Sequence, residues 1–154
     1  MQLKVESDAS YLSVKDSRSR YTGHFYLQPL PNRYNNTAKN GPIQTECAVL
    51  KNVVCSAAEA ECGGVFHNCK KAVIIKRVLE ALGHRQQPTD VKTDNSTAAA
   101  FTHSTMRSKR SKTWDMRWNW LREKLQQRHF NITWCKGTTN KADYFSKHQA
   151  PSHH

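Results

Sequence analysis

The sequence has few acidic residues and lacks a long apolar run. Its 154 residues include 12 Asp and Glu against 24 Lys and Arg, so the net charge is +12. The densest apolar stretch is AVII at residues 72–75, far short of the roughly 18 residues that mark a membrane-spanning helix. A membrane span is therefore not expected. The charge favours an anionic partner, first of all nucleic acid, over a merely basic soluble surface.

The cysteines do not form a metal-binding or disulfide pattern. There are five, an odd number, and none forms a CxxC pair: Cys47, Cys55, Cys62, Cys69 and Cys135. The start of the chain, MQLKVESDAS, lacks the apolar segment of a secretory signal. We expect free thiols, mostly in the core of an intracellular protein in the cytoplasm or nucleus. His67 lies near Cys69, but a second ligand pair for zinc is lacking.

The first 54 residues have the alternation and the turn residues of antiparallel strands. Segments near 3–8, 21–28 and 43–54 alternate or are rich in aromatic and β-branched residues. A loop rich in Pro, Asn and Gly separates the second and third segments. Three consecutive strands with short connections predict an antiparallel meander.

A long helix is predicted after this meander. Ser56 is a plausible N-cap with Glu59 three residues later, which is the capping-box spacing, and Gly83 is a plausible C-terminal stop. The pair Gly63–Gly64 lowers helix propensity by about 1 kcal/mol per glycine, which favours a close helix–sheet contact at that point.

Strands and helices alternate in the second half. A strand is expected near 89–94, then a short helix in STAAAFTH, an amphipathic helix in TWDMRWNWLREKLQQR, a strand in FNITWCKG and a last helical turn. On the amphipathic helix, Trp114 and Trp118 are expected in the core, as is Trp134 in the last strand. Trp120 lies off the apolar stripe. The order predicts a mixed α/β sheet in which the late strands enter in parallel.

Four of the twelve acidic residues stand at the ends of predicted elements: Asp8, Glu61, Asp94 and Asp143. Carboxylates at strand ends of an α/β sheet gather at one edge, and they repel one another unless a cation joins them. Oxygen ligands with open positions suit Mg²⁺ or Mn²⁺. Each acid taken alone also fits an ordinary role as a helix cap, a partner of a helix dipole or a turn former.

Five segments occur in an order that resembles a known family: SDAS, SAAEAECGG, TDNSTAAAF, RSKTWDMRWNWLREKL and WCKGTTNKADYFSKH. Together, from about Val5 to His148, they closely resemble the ribonuclease H region of copia-type retrotransposon polyproteins. The resemblance implies an α/β, ribonuclease H-like fold with a five-stranded mixed sheet, three antiparallel and then two parallel strands, flanked by helices. It implies one domain over residues 1–148, which leaves 149–154 as a C-terminal tail.

The resemblance also implies an activity and its residues. The activity is metal-dependent hydrolysis of the RNA strand of RNA–DNA hybrids with two Mg²⁺ ions, Mn²⁺ being the alternative. Asp8 would bridge both ions, Glu61 and Asp94 would hold the ion beside the leaving group, and Asp143 would hold the other. Glu59 is the alternative to Glu61. Many ribonucleases H have a histidine in the loop before the last acid, whereas this loop, CKGTTNK, has none.

A basic segment and several polar residues are candidates for binding nucleic acid. Four cations fall within six residues: Arg107, Lys109, Arg110 and Lys112. A solvated helix face is the alternative interpretation of such a run. Further candidates lie beside the acids: Ser10, Asn95, Ser96 and Lys136. We expect phosphate contacts that are independent of sequence and strongly salt-dependent, with hybrids recognised through 2′-hydroxyls in a wide minor groove.

Two other functions fit the same fold. One is a catalytically silent, retrotransposon-derived domain that binds nucleic acid without hydrolysing it. The other is a polynucleotidyl transferase of the integrase type, which the glutamate early on the long helix and the last acid disfavour. A reverse transcriptase domain is a further expected partner, in cis or in trans, and the isolated domain is expected to be a monomer.

Overall fold

The computed structural model describes residues 1–29, 41–96, 99 and 112–147, except for the side chains of 112–115. The strands and helices follow in chain order: β1 (Gln2–Val14), β2 (Arg18–Gln28), β3 (Gln44–Val49), α1 (Ala57–Ala81), β4 (Thr89–Thr93), α2 (Lys112–Gln126), β5 (Phe130–Trp134) and α3 (Asp143–Ser146). The described residues end at 147, so the domain limit at 148 and the tail over 149–154 stay predictions.

The strands form one five-stranded mixed sheet in the order β3-β2-β1-β4-β5. Strands β1, β2 and β3 pair antiparallel, whereas β4 pairs in parallel with β1 and with β5. This topology confirms the predicted fold class. Within the described residues, no helix is long and apolar enough to cross a membrane.

Helix α1 covers one face of the sheet. Its buried stripe includes Val65, Cys69 and Ala72, which join Phe25 and Val91 of the sheet in one apolar cluster. Full burial of one such Val or Phe side chain contributes about 1.5–3 kcal/mol, so this contact is a major source of stability. Among the cysteines, Cys62 and Cys69 are buried as predicted, but Cys47 and Cys55 are exposed.

The ends of α1 follow from its sequence. The Ser56 hydroxyl accepts a hydrogen bond from the Glu59 amide at 3.1 Å, and the Glu59 carboxylate in turn accepts one from the Cys55 amide at 2.5 Å. The first bond is that of the predicted capping box, whereas the second goes to the residue before the N-cap and not to the N-cap amide itself. At the other end Gly83 has φ +86°, a conformation that favours glycine and stops the helix.

A close helix–sheet contact lies at the predicted place. A Cβ atom added to Gly64 would stand 3.2 Å from Cβ of Tyr21 and 3.4 Å from the carbonyl oxygen of Asp8. Because Gly64 has no side chain, helix α1 packs directly against β1 and β2 beside Asp8. This contact confirms the predicted close helix–sheet approach at Gly64, whereas Gly63 lies against the side chain of Leu50. It brings the first turns of α1 close to Asp8 on the central strand.

Two details differ from the sequence-based expectation. Strand β1 does not end at Asp8 but continues to Val14 in its pairing with β2. Trp134 was expected in the core but is 56% exposed, because it ends a strand at the edge of the sheet and its indole N–H donates to the Asp94 carbonyl at 2.8 Å. Trp118 is buried as predicted, while the side chain of Trp114 lies outside the described residues.

Candidate active site

Two of the four acids meet where the parallel pairing of β1 and β4 ends. The last paired residues are Ser7 and Thr93, and the next residue along the chain is an aspartate in both cases: Asp8 within β1, and Asp94 directly after β4. Asp143, the first residue of α3, joins them. One carboxylate oxygen from each of the three lies within 4.8 Å of the others. Three of the predicted four acids are thus brought together from three separate elements.

Glu61 borders this group of three without being part of it. The residue is buried, with 8% of its surface exposed. Its Oε2 has no hydrogen-bond partner among the residues that the structure describes. Burial, and then the charges of Asp8 and Asp94, raise the pKa of Glu61 to about 9, although a hydrogen bond from the Ala9 backbone opposes this change. A buried carboxyl group with an unpartnered oxygen therefore lies close enough to Asp8 and Asp94 to feel their charges.

The environment of Asp8 also disfavours its charge. Burial raises its pKa to about 7, a hydrogen bond from the Ser146 hydroxyl lowers it, and the charges of Asp94 and Asp143 raise it further. Ser146 donates that bond to Oδ2 of Asp8 from the last residue of α3. Without a cation the site therefore tends to hold protons at neutral pH.

Glu59, the alternative to Glu61, serves the helix terminus instead. Its carboxylate accepts the hydrogen bond from the Cys55 amide, just before the N-cap. Two residues along a helix correspond to a turn of about 200° at 3.6 residues per turn, so Glu59 and Glu61 point to opposite sides of α1. Of the two, the geometry favours Glu61.

The question of whether Asp94 caps a helix or joins the cluster has a direct answer. The carbonyl of Asn95 accepts the hydrogen bond of the Ala99 amide at 3.0 Å, and the backbone of Ser96 and Ala99 is helical. Asn95 therefore occupies the N-cap position of that turn. The Asp94 carboxylate belongs to the cluster.

The segment before α3 is anchored to the sheet by a buried asparagine. Asn140 is 4% exposed, its Nδ2 donates to the carbonyl of Ser7 at 2.9 Å, and its Oδ1 accepts from the amide of Ala142 at 3.3 Å. Thr22 of β2 donates to the Ala142 carbonyl at 2.8 Å. These bonds place Asp143 beside Asp8.

Sequence reasoning missed the residues that position the acids. Asn140 and Ser146 flank Asp143 within NKADYFS, and that proximity was the one available signal. Their partners, Ser7 and Asp8, are more than 130 positions away. A hydrogen bond over such a separation is not visible in local spacing.

A lysine also stands at the cluster. Lys147, directly after α3, forms an ion pair with Oδ1 of Asp143. Its positive charge also lowers the pKa of Asp8 and of Glu61. The site is therefore a set of four carboxyl groups with one ammonium group at its solvent side.

The predicted nucleic-acid-binding residues fall into three groups. Asn95 is half-buried, and Ser96 and Lys136 are exposed, all close to Asp94 in sequence or space. Ser10 is buried and its hydroxyl pairs with that of Ser13, which does not favour the predicted contact of Ser10 with nucleic acid. The basic segment lies outside the described residues or their side chains: Arg107, Lys109, Arg110 and Lys112.

Comparison with solved structures identifies the architecture. Over 93% of this chain and 92% of the other, the protein superposes on LC11-RNase H1 in complex with an RNA/DNA hybrid, with a TM-score of 0.64 and 8% identity. The chain has the ribonuclease H fold. The same fold within a longer protein is found in the protease-reverse transcriptase of Prototype Foamy Virus, with a TM-score of 0.56 and 17% identity over 94% of this chain and 20% of that one.

The amino-acid sequence points to retrotransposons. It is 27% identical over 145 residues, or 94% of the chain, to the retrovirus-related Pol polyprotein from transposon TNT 1-94 of Nicotiana tabacum. The chain spans 10% of the length of that polyprotein. A comparison with models of known protein families finds no match. The resemblance to the ribonuclease H region of such polyproteins, expected from the five sequence segments, is confirmed.

Proposed function

We propose that the protein is a metal-dependent endoribonuclease that hydrolyses the RNA strand of RNA–DNA hybrids. The observation that carries this proposal is the meeting of Asp8, Asp94 and Asp143 within 4.8 Å. The buried Glu61, whose Oε2 has no hydrogen-bond partner in the described part of the chain, independently supports a cation site at this place. The ribonuclease H fold supports the substrate class.

The donor set fits two divalent cations. All four groups offer carboxylate oxygens, the donors that Mg²⁺ and Mn²⁺ prefer. The raised pKa values of Asp8 and Glu61 indicate that the charged site is unfavourable by itself, and a cation removes that cost. Two such ions would supply charge stabilisation for an in-line displacement at the scissile phosphate.

Each side chain of the site has a separate task in this proposal. Asp8, whose carboxylate accepts a hydrogen bond from Ser146, would contact both ions. Glu61 and Asp94 would hold one ion, and Asp143 would hold the other. Because the four groups come from four elements of one rigid sheet–helix scaffold, they are preorganised, and substrate binding does not have to assemble them.

The surroundings of the cluster suggest how a hybrid is held. Asn95, Ser96 and Lys136 are proposed to contact sugar or phosphate groups near Asp94. The basic run Arg107–Lys112 is proposed to contact phosphates of the duplex, and the net charge of +12 favours such contacts. Binding of this kind depends on backbone shape and charge and not on base sequence.

The biological setting proposed is reverse transcription of a retrotransposon inside the cell. The relatives on which this rests are a Pol polyprotein and a protease-reverse transcriptase. A reverse transcriptase domain, in the same chain or a separate one, is the proposed partner because it produces the hybrid that this site would cleave.

A matched pair of variants tests the proposal. The wild type and Asp8→Asn are incubated with a labelled RNA–DNA hybrid and Mg²⁺, with single-stranded RNA as a second substrate. Asp90→Asn is the control, because Asp90 is partly exposed and pairs with Lys4 outside the cluster. Hybrid cleavage by the wild type and by Asp90→Asn, and its loss in Asp8→Asn, is the expected result. Hybrid binding without cleavage by the wild type would favour the catalytically silent alternative.

A further inference from the structure

The ion pair between Lys147 and Asp143 contributes little to the stability of the fold, which leaves the position of this lysine to be explained by another role. The Lys147 side chain is 52% exposed and that of Asp143 is 27% exposed. An ion pair in contact with solvent contributes about 0–1 kcal/mol, which is little for a lysine placed beside a carboxylate cluster. The charge of Lys147 also acts on Asp8 and Glu61, so the ammonium group faces the whole site.

The Lys147 ammonium group would have to change its partner if divalent cations bound to the carboxylates. A divalent cation held by Asp143 would stand next to the ammonium group, and two positive charges at that distance repel each other. The four-carbon stem of a lysine allows the ammonium group to move by several rotamers. Displaced from Asp143, it remains at the solvent side of the cluster, the side from which a nucleic-acid strand must approach.

With two cations and a substrate bound, the charges of the site would offer Lys147 a new partner, a phosphate group of the substrate. Four ionised carboxylates are balanced by two divalent ions, so the lysine and the single negative charge of a phosphodiester are left to compensate each other. The loop before Asp143, residues 135–141, offers lysines but no histidine for such a contact.

We infer that Lys147 alternates between two partners, the Asp143 carboxylate in the cation-free protein and a phosphate of the RNA strand in the loaded site. Lys147 is then a substrate-binding residue that also competes with cations for Asp143. The inference rests on the proposed function, since it takes the cluster to bind cations and hybrid. It predicts that removing the ammonium group strengthens cation binding and weakens hybrid binding.

Two binding measurements on the whole chain test the inference. Calorimetric titration with Mn²⁺, without nucleic acid, is expected to give severalfold tighter binding for Lys147→Met than for the wild type. Titration of a hybrid in Ca²⁺, used to limit cleavage, is expected to give about fivefold weaker binding, with a salt slope reduced by roughly one phosphate contact. Lys147→Arg is expected to keep the hybrid affinity of the wild type.

The control is Lys141→Met, which removes an exposed lysine from the same segment and is expected to leave Mn²⁺ binding unchanged. Urea unfolding checks that each variant is folded. Equal affinities in the wild type and Lys147→Met, or a loss of both affinities in Lys147→Met, would overturn the inference about Lys147. The proposed function would be unaffected by either result. A wild type that binds neither Mn²⁺ nor hybrid would overturn the proposed function and this inference together.

Discussion

Gly137 lies against the carboxylate of Asp94: a Cβ atom at position 137 would stand 3.0 Å from Oδ2 of Asp94. The turn after β5 thus limits where the Asp94 side chain can lie. Gly137→Ala is expected to push this carboxylate out of the cluster by a few tenths of an ångström or more and to weaken Mn²⁺ binding severalfold. The stability of the fold should change little, because the turn is at the surface.

Calorimetry with Mn²⁺ measures the effect of Gly137→Ala, and Gly41→Ala is the matched control because a Cβ atom there meets no atom within 4 Å. Equal Mn²⁺ affinity in Gly137→Ala and Gly41→Ala would show that the contact with Asp94 does not constrain the site.

Asn140 is expected to be important for both stability and the site. Asn140→Ala leaves the Ser7 carbonyl and the Ala142 amide without their partner. An unsatisfied buried polar group costs about 1–3 kcal/mol, so the free energy of unfolding in urea should fall by about that amount. Cation binding should weaken as well, since Asp143 loses its anchor. Thr139→Ala, with an exposed side chain, should be close to neutral in both measurements.

Ser146→Ala removes the hydroxyl that donates to Asp8. This hydrogen bond lowers the pKa of Asp8, so its loss should raise that pKa further and make protons stronger competitors of Mn²⁺. The Mn²⁺ affinity of the variant is expected to fall more at pH 6.5 than at pH 8.5. A loss of affinity that is the same at both pH values would contradict this explanation. Ser146→Thr, which keeps the hydroxyl, serves as the control.

The raised pKa values predict how stability depends on pH. Burial raises the pKa of Asp8 from 3.8 to about 7 and that of Glu61 from 4.5 to about 9. Between the unfolded and folded values the folded state binds more protons, so the stability of the cation-free protein should fall as the pH rises through this window. A tenfold difference in proton affinity between the two states corresponds to about 1.4 kcal/mol.

Thermal unfolding between pH 5.5 and 9, in EDTA and in Mg²⁺, measures this dependence. The stabilisation by Mg²⁺ should grow with pH, because fewer protons must be displaced from the site. Glu61→Gln, which cannot ionise, should unfold at a temperature that depends less on pH in EDTA. An EDTA curve that rises from pH 6 to pH 8.5 would contradict the assignment of protonated, buried carboxyl groups.

The basic run should control the salt dependence of hybrid binding. Replacement of Arg107, Lys109 and Arg110 by Ala is expected to lower the slope of log affinity against log salt by up to about 0.9 for each phosphate that is no longer neutralised. Arg85→Ala is the control, since Arg85 is exposed and precedes β4, whereas Asp94 follows it. Fluorescence anisotropy with a labelled hybrid at several salt concentrations gives the slopes. Identical slopes for the triple variant and the wild type would show that this segment does not contact the hybrid.

The sequence allowed the fold to be predicted where the signals are local. Alternation marked the start of β1, aromatic residues marked β2, the capping-box spacing marked the start of α1, and Gly83 marked its end. The predicted end of β1 at Asp8 was wrong because the pattern after it is polar and turn-like, although the strand continues in a hairpin with β2. The prediction that Trp134 lies in the core was wrong because its exposure depends on its place at the edge of the sheet. That place depends on the pairing of distant strands.

The candidate site was predictable only where its residues have a local signal in the sequence. Carboxylates are scarce in this chain, so Asp8, Asp94 and Asp143 stood out at the ends of elements. The choice between Glu59 and Glu61 depended on the resemblance, since both lie in the first turns of one helix. The contacts of Ser146 with Asp8 and of Asn140 with Ser7 join distant parts of the sequence, and no local pattern encodes them.

The contact of β1 with the segment around α3 has a consequence for biosynthesis. Asp8 is translated 138 residues before Ser146, its hydrogen-bond partner. The sheet can begin to pair while the ribosome is still translating, but the acidic cluster cannot close until α3 has emerged. A chain that ended after β5 would lack both Asp143, one of the three clustered acids, and Ser146, the hydrogen-bond donor to Asp8. The site can therefore be completed only after α3 has been synthesised.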